Sequence, residues 1–231
     1  MIAFMPAPAP LLSIPAFAAL TPEELAALTH GARDTRLPAG VQVMGKGEPG
    51  SSMMVLIEGR LRVSAVSLEG RALTFRLVEP VEVVGEIAAL DGRPRSADVT
   101  TVTPARLLVI PREACLAAVR THPGVAKALL VLLCTRLRET TNGLERLAMQ
   151  RLPARMAHLL LRLAADYGRP APQGGITLPM RLSQAEIGTL VHATREAVNK
   201  QLSQWRDEAV LEVRGGQIVL TRPQALVALL E

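Results

Sequence analysis

Residues 125–149 contain no proline, and their apolar side chains recur at steps of three and four, through Leu130, Leu133, Leu137, Leu144 and Leu147, with Thr140 filling the polar slot. A period of about 3.5 residues sustained over several turns specifies one long helix whose narrow apolar stripe fits the seam of a coiled coil. Such a stripe needs a partner. A second copy of the chain about a twofold axis supplies one without any further component; the alternative is a helix laid on its own domain. In both cases the helix separates a part before it from a part after it.

The earlier part reads as β structure behind a short helix. Thr21-Pro22-Glu23-Glu24 combines an N-cap, a proline at the first helical position and two acids at the positive helix end, and leads into a helix over 25–29. Short β-rich runs follow at 41–44, 53–57, 61–65, 73–78, 81–84, 99–102 and 106–110, with Gly40, Gly45, Gly47, Gly50, Gly59 and Gly70 at or beside the breaks. This alternation predicts an antiparallel β-roll, which puts the whole chain in the α+β class.

After the long helix, Pro153 marks a hinge at 150–152, an amphipathic helix follows at 154–165, and a proline- and glycine-rich loop occupies 168–175. The expected organisation is a β-roll domain over 1–123, a dimerisation helix over 124–150 and a C-terminal domain over 151–231. In the last of these, Ser183-Gln184-Ala185-Glu186 is a capping box opening a helix that runs to Val191; His192 and Ala193 turn, and Thr194 caps a second helix. Two helices joined so tightly predict a helix-turn-helix. On the second, Val198, Leu202 and Trp205 share one face, which leaves Arg195, Glu196, Asn199, Lys200 and Ser203 outward. Arginine pairs with O6 and N7 of guanine, glutamate accepts from N4 of cytosine, and lysine reaches guanine or phosphate. Residues 211–214 and 217–220 around Gly215-Gly216 predict a hairpin wing. The net charge of +5, from 26 Lys plus Arg against 21 Asp plus Glu, has the sign that a phosphate backbone attracts.

Other chemistries find no foothold. Cys115 and Cys134 have neither CxxC spacing nor a nearby histidine, so both are expected as reduced thiols of a core or seam, and no metal is expected. No nucleophile, base and orienter fall together and no P-loop occurs, which argues against an enzyme. The apolar N-terminal stretch lacks a basic start and is broken by Pro6, Pro8, Pro10 and Pro15, so neither a signal peptide nor a membrane helix is expected there, and the chain reads as cytoplasmic.

Gly85-Glu86-Ile87-Ala88-Ala89-Leu90, followed by Arg93-Pro94-Arg95-Ser96-Ala97, resembles the phosphate-binding cassette of cyclic-nucleotide-binding domains. Together with the order of parts, it makes the chain resemble the cyclic-AMP receptor protein and fumarate-nitrate regulator family of bacterial transcription factors, from about Leu11 to the wing. The resemblance implies a bound cyclic AMP or cyclic GMP, with Glu86 on the ribose hydroxyl, Arg95 on the cyclic phosphate and Ser96 on a phosphate oxygen. The backbone N–H groups of Ile87 and Ala97 would support these contacts, and Gly85 and Ala88 complete the cassette. It also implies a homodimer in which Thr140 and Thr141, one from each subunit, meet the purine. Arg195, Glu196 and Lys200 match positions that read TGTGA-type half-sites of double-stranded DNA, with Ser183, Gln184, Thr194 and Asn199 as further contacts. The loop at 168–173 lies where relatives touch RNA polymerase. Arg76 would donate to O6 and N7 of a guanine, which keeps cyclic GMP beside cyclic AMP as ligand. A regulator that binds DNA constitutively, or answers another effector with a vestigial pocket, is the alternative. Val84 and Val81 depart from the family's aromatic and glycine. The cysteine cluster of the oxygen-sensing branch is missing, and His30, His122, His158 and His192 lie outside the predicted strands, so no haem ligand is expected.

Overall fold

A computed structural model describes residues 9–66 and 72–230, and the chain divides into two compact units, Met1–Arg138 and Glu139–Glu231. Gly70, expected at a turn, lies outside the described residues, as do Pro6 and Pro8.

The first unit opens with a 3-10 turn, Ala9–Ser13, and helix α1, Pro22–Leu28. The Thr21 cap is a full capping box, Thr21 N donating to Glu24 Oε2 at 2.9 Å and Glu24 N to Thr21 Oγ1 at 3.2 Å. Eight strands follow: β1 (Arg33–Leu37), β2 (Gln42–Met44), β3 (Ser52–Glu58), β4 (Leu61–Val66), β5 (Ala72–Val78), β6 (Glu82–Val84), β7 (Asp98–Thr101) and β8 (Ala105–Pro111). They form two four-stranded antiparallel sheets, ordered β1-β8-β3-β6 and β2-β7-β4-β5. Helix α2 (Glu86–Asp91) lies between β6 and β7 in the chain, and α3 (Arg112–Thr121) and α4 (Pro123–Met149) follow β8.

The unbroken apolar run Met53-Met54-Val55-Leu56-Ile57 marks the middle layer. Met53 and Val55 pack with Leu25, Leu28, Cys115, Val125 and Leu129 from the helices, whereas Leu56 packs with Val84 of its own sheet and with Leu61, Val78 and Val99 of the other sheet. β8 repeats this, with Leu108 and Ile110 on the helix side and Leu107 on the sheet side. A strand covered on both faces has no polar alternation to show.

Strand β1 is an addition to the sequence reading. Arg33-Asp34-Thr35-Arg36 carries no β-rich signal because it forms a sheet edge, where charges face water and discourage further pairing. Asp34 instead accepts from Arg106 of β8 at 2.7 Å, and this guanidinium holds its carboxyl below the usual carboxylate range.

On α4, two faces have different fates. Val125, Ala128, Leu129 and Leu132 are buried in the unit's own core, while Leu130, Leu137 and Leu144 of the stripe are 62%, 68% and 67% exposed. Cys115 is buried, its thiol pushed up by desolvation, and Cys134 is exposed on α4.

The second unit contains α5 (Leu152–Tyr167), β9 (Arg169–Pro170), β10 (Ile176–Thr177), α6 (Gln184–Val191), α7 (Arg195–Asp207), β11 (Leu211–Arg214), β12 (Gln217–Leu220) and α8 (Pro223–Val227). Met156, Leu160, Leu178, Ile187, Val198, Trp205 and Leu220 form its core. The stretch at 168–175 is not wholly loop: β9 supplies the edge of a sheet ordered β11-β12-β10-β9. A two-residue strand ending in proline is too short to show a period, and its pairing comes from the neighbouring backbone. Among the described residues no single helix is long and apolar enough to cross a membrane.

Candidate anion site and nucleic-acid interface

Gly85 ends β6 and caps α2 with φ 77°. A Cβ at this position would lie 2.5 Å from Met44 Cε and 2.6 Å from Arg95 Nη1, so only glycine admits the arginine. Gly50 serves a close approach instead, since its Cβ would lie 2.3 Å from that of Ala88; the loop before β3 thereby closes on α2.

Arg95 lies at the centre of this arrangement and is only 6% exposed. Its Nη1 donates to Gly85 O at 2.9 Å and its Nη2 to Ser52 Oγ at 3.2 Å. Its backbone is fixed too, Arg95 N donating to Glu48 O at 2.8 Å and Gly47 N to Arg95 O at 2.9 Å. Among the described residues no ion pair engages Arg95. Burial pushes its guanidinium below the ordinary arginine pKa, against the opposing pull of Glu48 and Glu86. Glu86 is itself buried, at 5% exposure. A guanidinium has five N–H donors, and a buried cation without a paired anion is unfavourable; an anion placed here would meet free donors and offset that cost.

Of the other expected ligand residues, Ala88 is buried, Ala97 half-buried, Ile87 exposed on α2, and Ser96 exposed next to Arg95 in the chain. Thr140 and Thr141 are exposed on α4, within the second unit. Arg76, on β5, is engaged: it ion-pairs with Glu82 of β6, which also accepts from Arg136 Nη2 of α4 at 3.0 Å. The sequence reading missed Ser52, Glu48, Glu82 and Arg136. Gly45, Gly47 and Gly50 were its only local signal, and spacing alone marks them as turn residues without saying what the turn touches.

In the second unit the helix-turn-helix forms as its caps predict. Glu186 N donates to Ser183 Oγ at 3.2 Å and Ser183 N to Glu186 Oε2 at 2.8 Å, which starts α6. His192 ends α6 in the left-handed region, φ 54°, and Ala197 N donates to Thr194 Oγ1 at 3.2 Å to start α7. Val198, Leu202 and Trp205 face the core, and Arg195, Glu196, Asn199 and Lys200 are exposed. Gln184 Nε2 donates to Asn199 Oδ1 at 2.9 Å, linking the two helices. Ser203 is half-buried and accepts from Arg206 Nη2 at 2.8 Å. β11 and β12 pair around Gly215-Gly216 as the wing.

His192 gives this unit a pH dependence. Burial, and then the nearby Arg155, hold its imidazole below the usual 6.5. As pH falls below 6.5 the unfolded chain therefore takes up a proton that the folded chain refuses, and stability declines; above that value it is flat. Denaturation followed by the fluorescence of Trp205, the one tryptophan, is expected to show a lower midpoint at pH 5.5 than at pH 7.5. His192→Asn, which tolerates the left-handed backbone, should reduce the difference; an unchanged difference would assign it to other groups.

Residues 34–122 match the family model of the cyclic nucleotide-binding domain, and residues 154–229 that of the Crp-like helix-turn-helix domain. Fold and domains together define a DNA-binding transcription regulator that carries a cyclic-nucleotide-binding domain. The CRP-like cAMP-activated global transcriptional regulator of Mycobacterium tuberculosis is 30% identical over 210 residues, which is 91% of this chain and 93% of the relative. The chain belongs to the CRP/FNR family of transcription regulators, which is not a family of enzymes. The cyclic AMP receptor protein of Thermus thermophilus is 29% identical over 88% of this chain and 91% of its own. The solved structure of a CRP/FNR-family transcriptional regulator, also from Thermus thermophilus, superposes with a TM-score of 0.72 at 30% identity, covering 86% of this chain and 98% of that one.

Proposed function

We propose that this chain is a cytoplasmic, homodimeric regulator whose DNA binding is gated by a cyclic nucleotide, with cyclic AMP as the ligand. The observation that carries this reading is Arg95, a buried guanidinium that lacks an ion pair among the described residues and keeps donors beyond the two in use. A cyclic phosphate supplies its missing anion, and Glu86, buried nearby without cancelling that charge, suits a ribose hydroxyl. Cyclic AMP is favoured over cyclic GMP because Arg76, the candidate reader of guanine O6 and N7, is already held by Glu82. Thr140 and Thr141 would meet the adenine across the dimer through hydroxyls that both donate and accept. Bound ligand shifts the dimer toward the arrangement that binds DNA only as far as it prefers that arrangement. Arg195, Glu196 and Lys200 would then read a palindromic, TGTGA-type site, with Ser183, Gln184, Thr194 and Asn199 in supporting contacts and the 168–173 segment toward RNA polymerase. Among the described residues no cluster of His, Cys, Asp and Glu could hold a metal, and none is invoked.

Parallel calorimetric titrations of the full chain with cyclic AMP and cyclic GMP, followed by anisotropy with a TGTGA-palindrome duplex, test this. Cyclic AMP should bind more tightly and raise duplex affinity. If neither nucleotide binds, the ligand reading fails; if binding leaves duplex affinity unchanged, the gating fails.

On the DNA side, Arg195→Ala and Glu196→Ala should each lose about 1 to 3 kcal/mol of discrimination between cognate and mutated half-sites. Retention of full discrimination by both variants would remove α7 from the role of base reader.

A further inference from the structure

We infer that Ser52 is a positioning residue for phosphate recognition, its hydroxyl holding the Arg95 guanidinium ready for the anion; the inference rests on Arg95 being the phosphate reader proposed above. Ser52 begins β3, opposite Pro111 of β8, and is buried. The residues that follow it, Met53 to Leu56, are apolar, so a hydroxyl is out of character with the strand it opens. Its side-chain partner is Arg95 Nη2, at 3.2 Å.

Arg95 is thus held at both terminal nitrogens, by the Gly85 carbonyl on Nη1 and the Ser52 hydroxyl on Nη2. Both partners are neutral. They restrict rotation of the guanidinium without cancelling its charge, which is the opposite of the treatment given to Arg76, whose guanidinium meets the Glu82 carboxylate. An arginine that only braces the fold gains from a carboxylate partner. One that must capture an incoming anion gains from neutral acceptors that leave its charge available and settle its orientation in advance. The same loop that leads to Ser52 also grips the Arg95 backbone, through Glu48 O and Gly47 N at 2.8 and 2.9 Å. The main chain and Nη2 of Arg95 are therefore held from one segment outside the Gly85–Ala97 cassette that carries the sequence signature, and only Nη1 is held from within it.

The test uses calorimetric titration of the full-length protein with cyclic AMP, for the wild type, Ser52→Ala, Ser52→Thr and Arg95→Lys, and for Ser52→Ala combined with Arg95→Lys. Ser52→Ala should raise Kd about tenfold or more, the effect expected when one hydrogen bond to a charged group that orients a ligand contact is lost. Ser52→Thr, which keeps the hydroxyl, should stay near the wild-type value. In the Arg95→Lys background, Ser52→Ala should add nothing, because the group it orients is gone. Wild-type affinity in Ser52→Ala, failure of threonine to rescue, or an equal loss in the Arg95→Lys background would each overturn the positioning role. Failure of the wild type to bind any cyclic nucleotide would overturn the parent reading and this one together, and is distinguishable because it appears before any substitution is made.

Discussion

Arg95→Met is expected to weaken cyclic-AMP binding by about 3 kcal/mol or more, roughly a hundredfold in Kd, because a buried ionic contact to the phosphate loses its cation. The unliganded protein should behave differently. Its arginine is buried with two neutral hydrogen-bond partners and no ion pair among the described residues, so methionine removes a desolvated charge while preserving most of the packed volume. Thermal unfolding without ligand should therefore be little changed, while the stabilisation that cyclic AMP confers on the wild type should largely vanish. A variant that still binds cyclic AMP but unfolds much earlier would make Arg95 a structural residue and would leave the site without its anion reader.

Leu137→Glu and Leu144→Glu are each expected to dissociate the homodimer. Both leucines stand about two-thirds exposed on α4 in the single chain, at 68% and 67%, in a stripe whose period requires a facing helix. Burying a leucine contributes about 1.5 to 3 kcal/mol, and the twofold axis repeats the loss, so each substitution should cost about 3 to 6 kcal/mol per dimer before any penalty for the charge. Sedimentation velocity should show a wild-type dimer at micromolar concentration, with or without ligand, and monomeric variants. Affinity for a palindromic duplex should fall with the dimer, since two half-sites then have to be engaged separately. Circular dichroism should be preserved, because Val125, Leu129 and Leu132 anchor α4 to its own core on another face. A wild-type monomer would sink the assembly proposal, and a dimeric Leu144→Glu would move the interface elsewhere.

The sequence by itself determined the elements whose signals are local. The Ser183 capping box, the Thr194 cap and the Val198, Leu202 and Trp205 face suffice for the helix-turn-helix, because each depends on residues within a few positions of one another. The α4 period and the apolar runs of β3 and β8 are equally legible. The Gly85–Ala97 motif marked Arg95 and Glu86, which the structure then placed in a buried setting. Tertiary structure alone decided the contacts that join distant segments. Ser52 and Arg95 are 43 positions apart, Glu82 and Arg136 are 54 apart, and β1 acquires its strand conformation from β8. No periodicity or cap encodes such pairings, since a serine, glutamate or arginine carries the same local preferences whether its partner is water or a buried side chain. What distinguishes Arg95, the proposed anion reader, from Arg76 is the polarity of the acceptor that folding brings to each, a neutral hydroxyl and carbonyl for the former and a carboxylate for the latter.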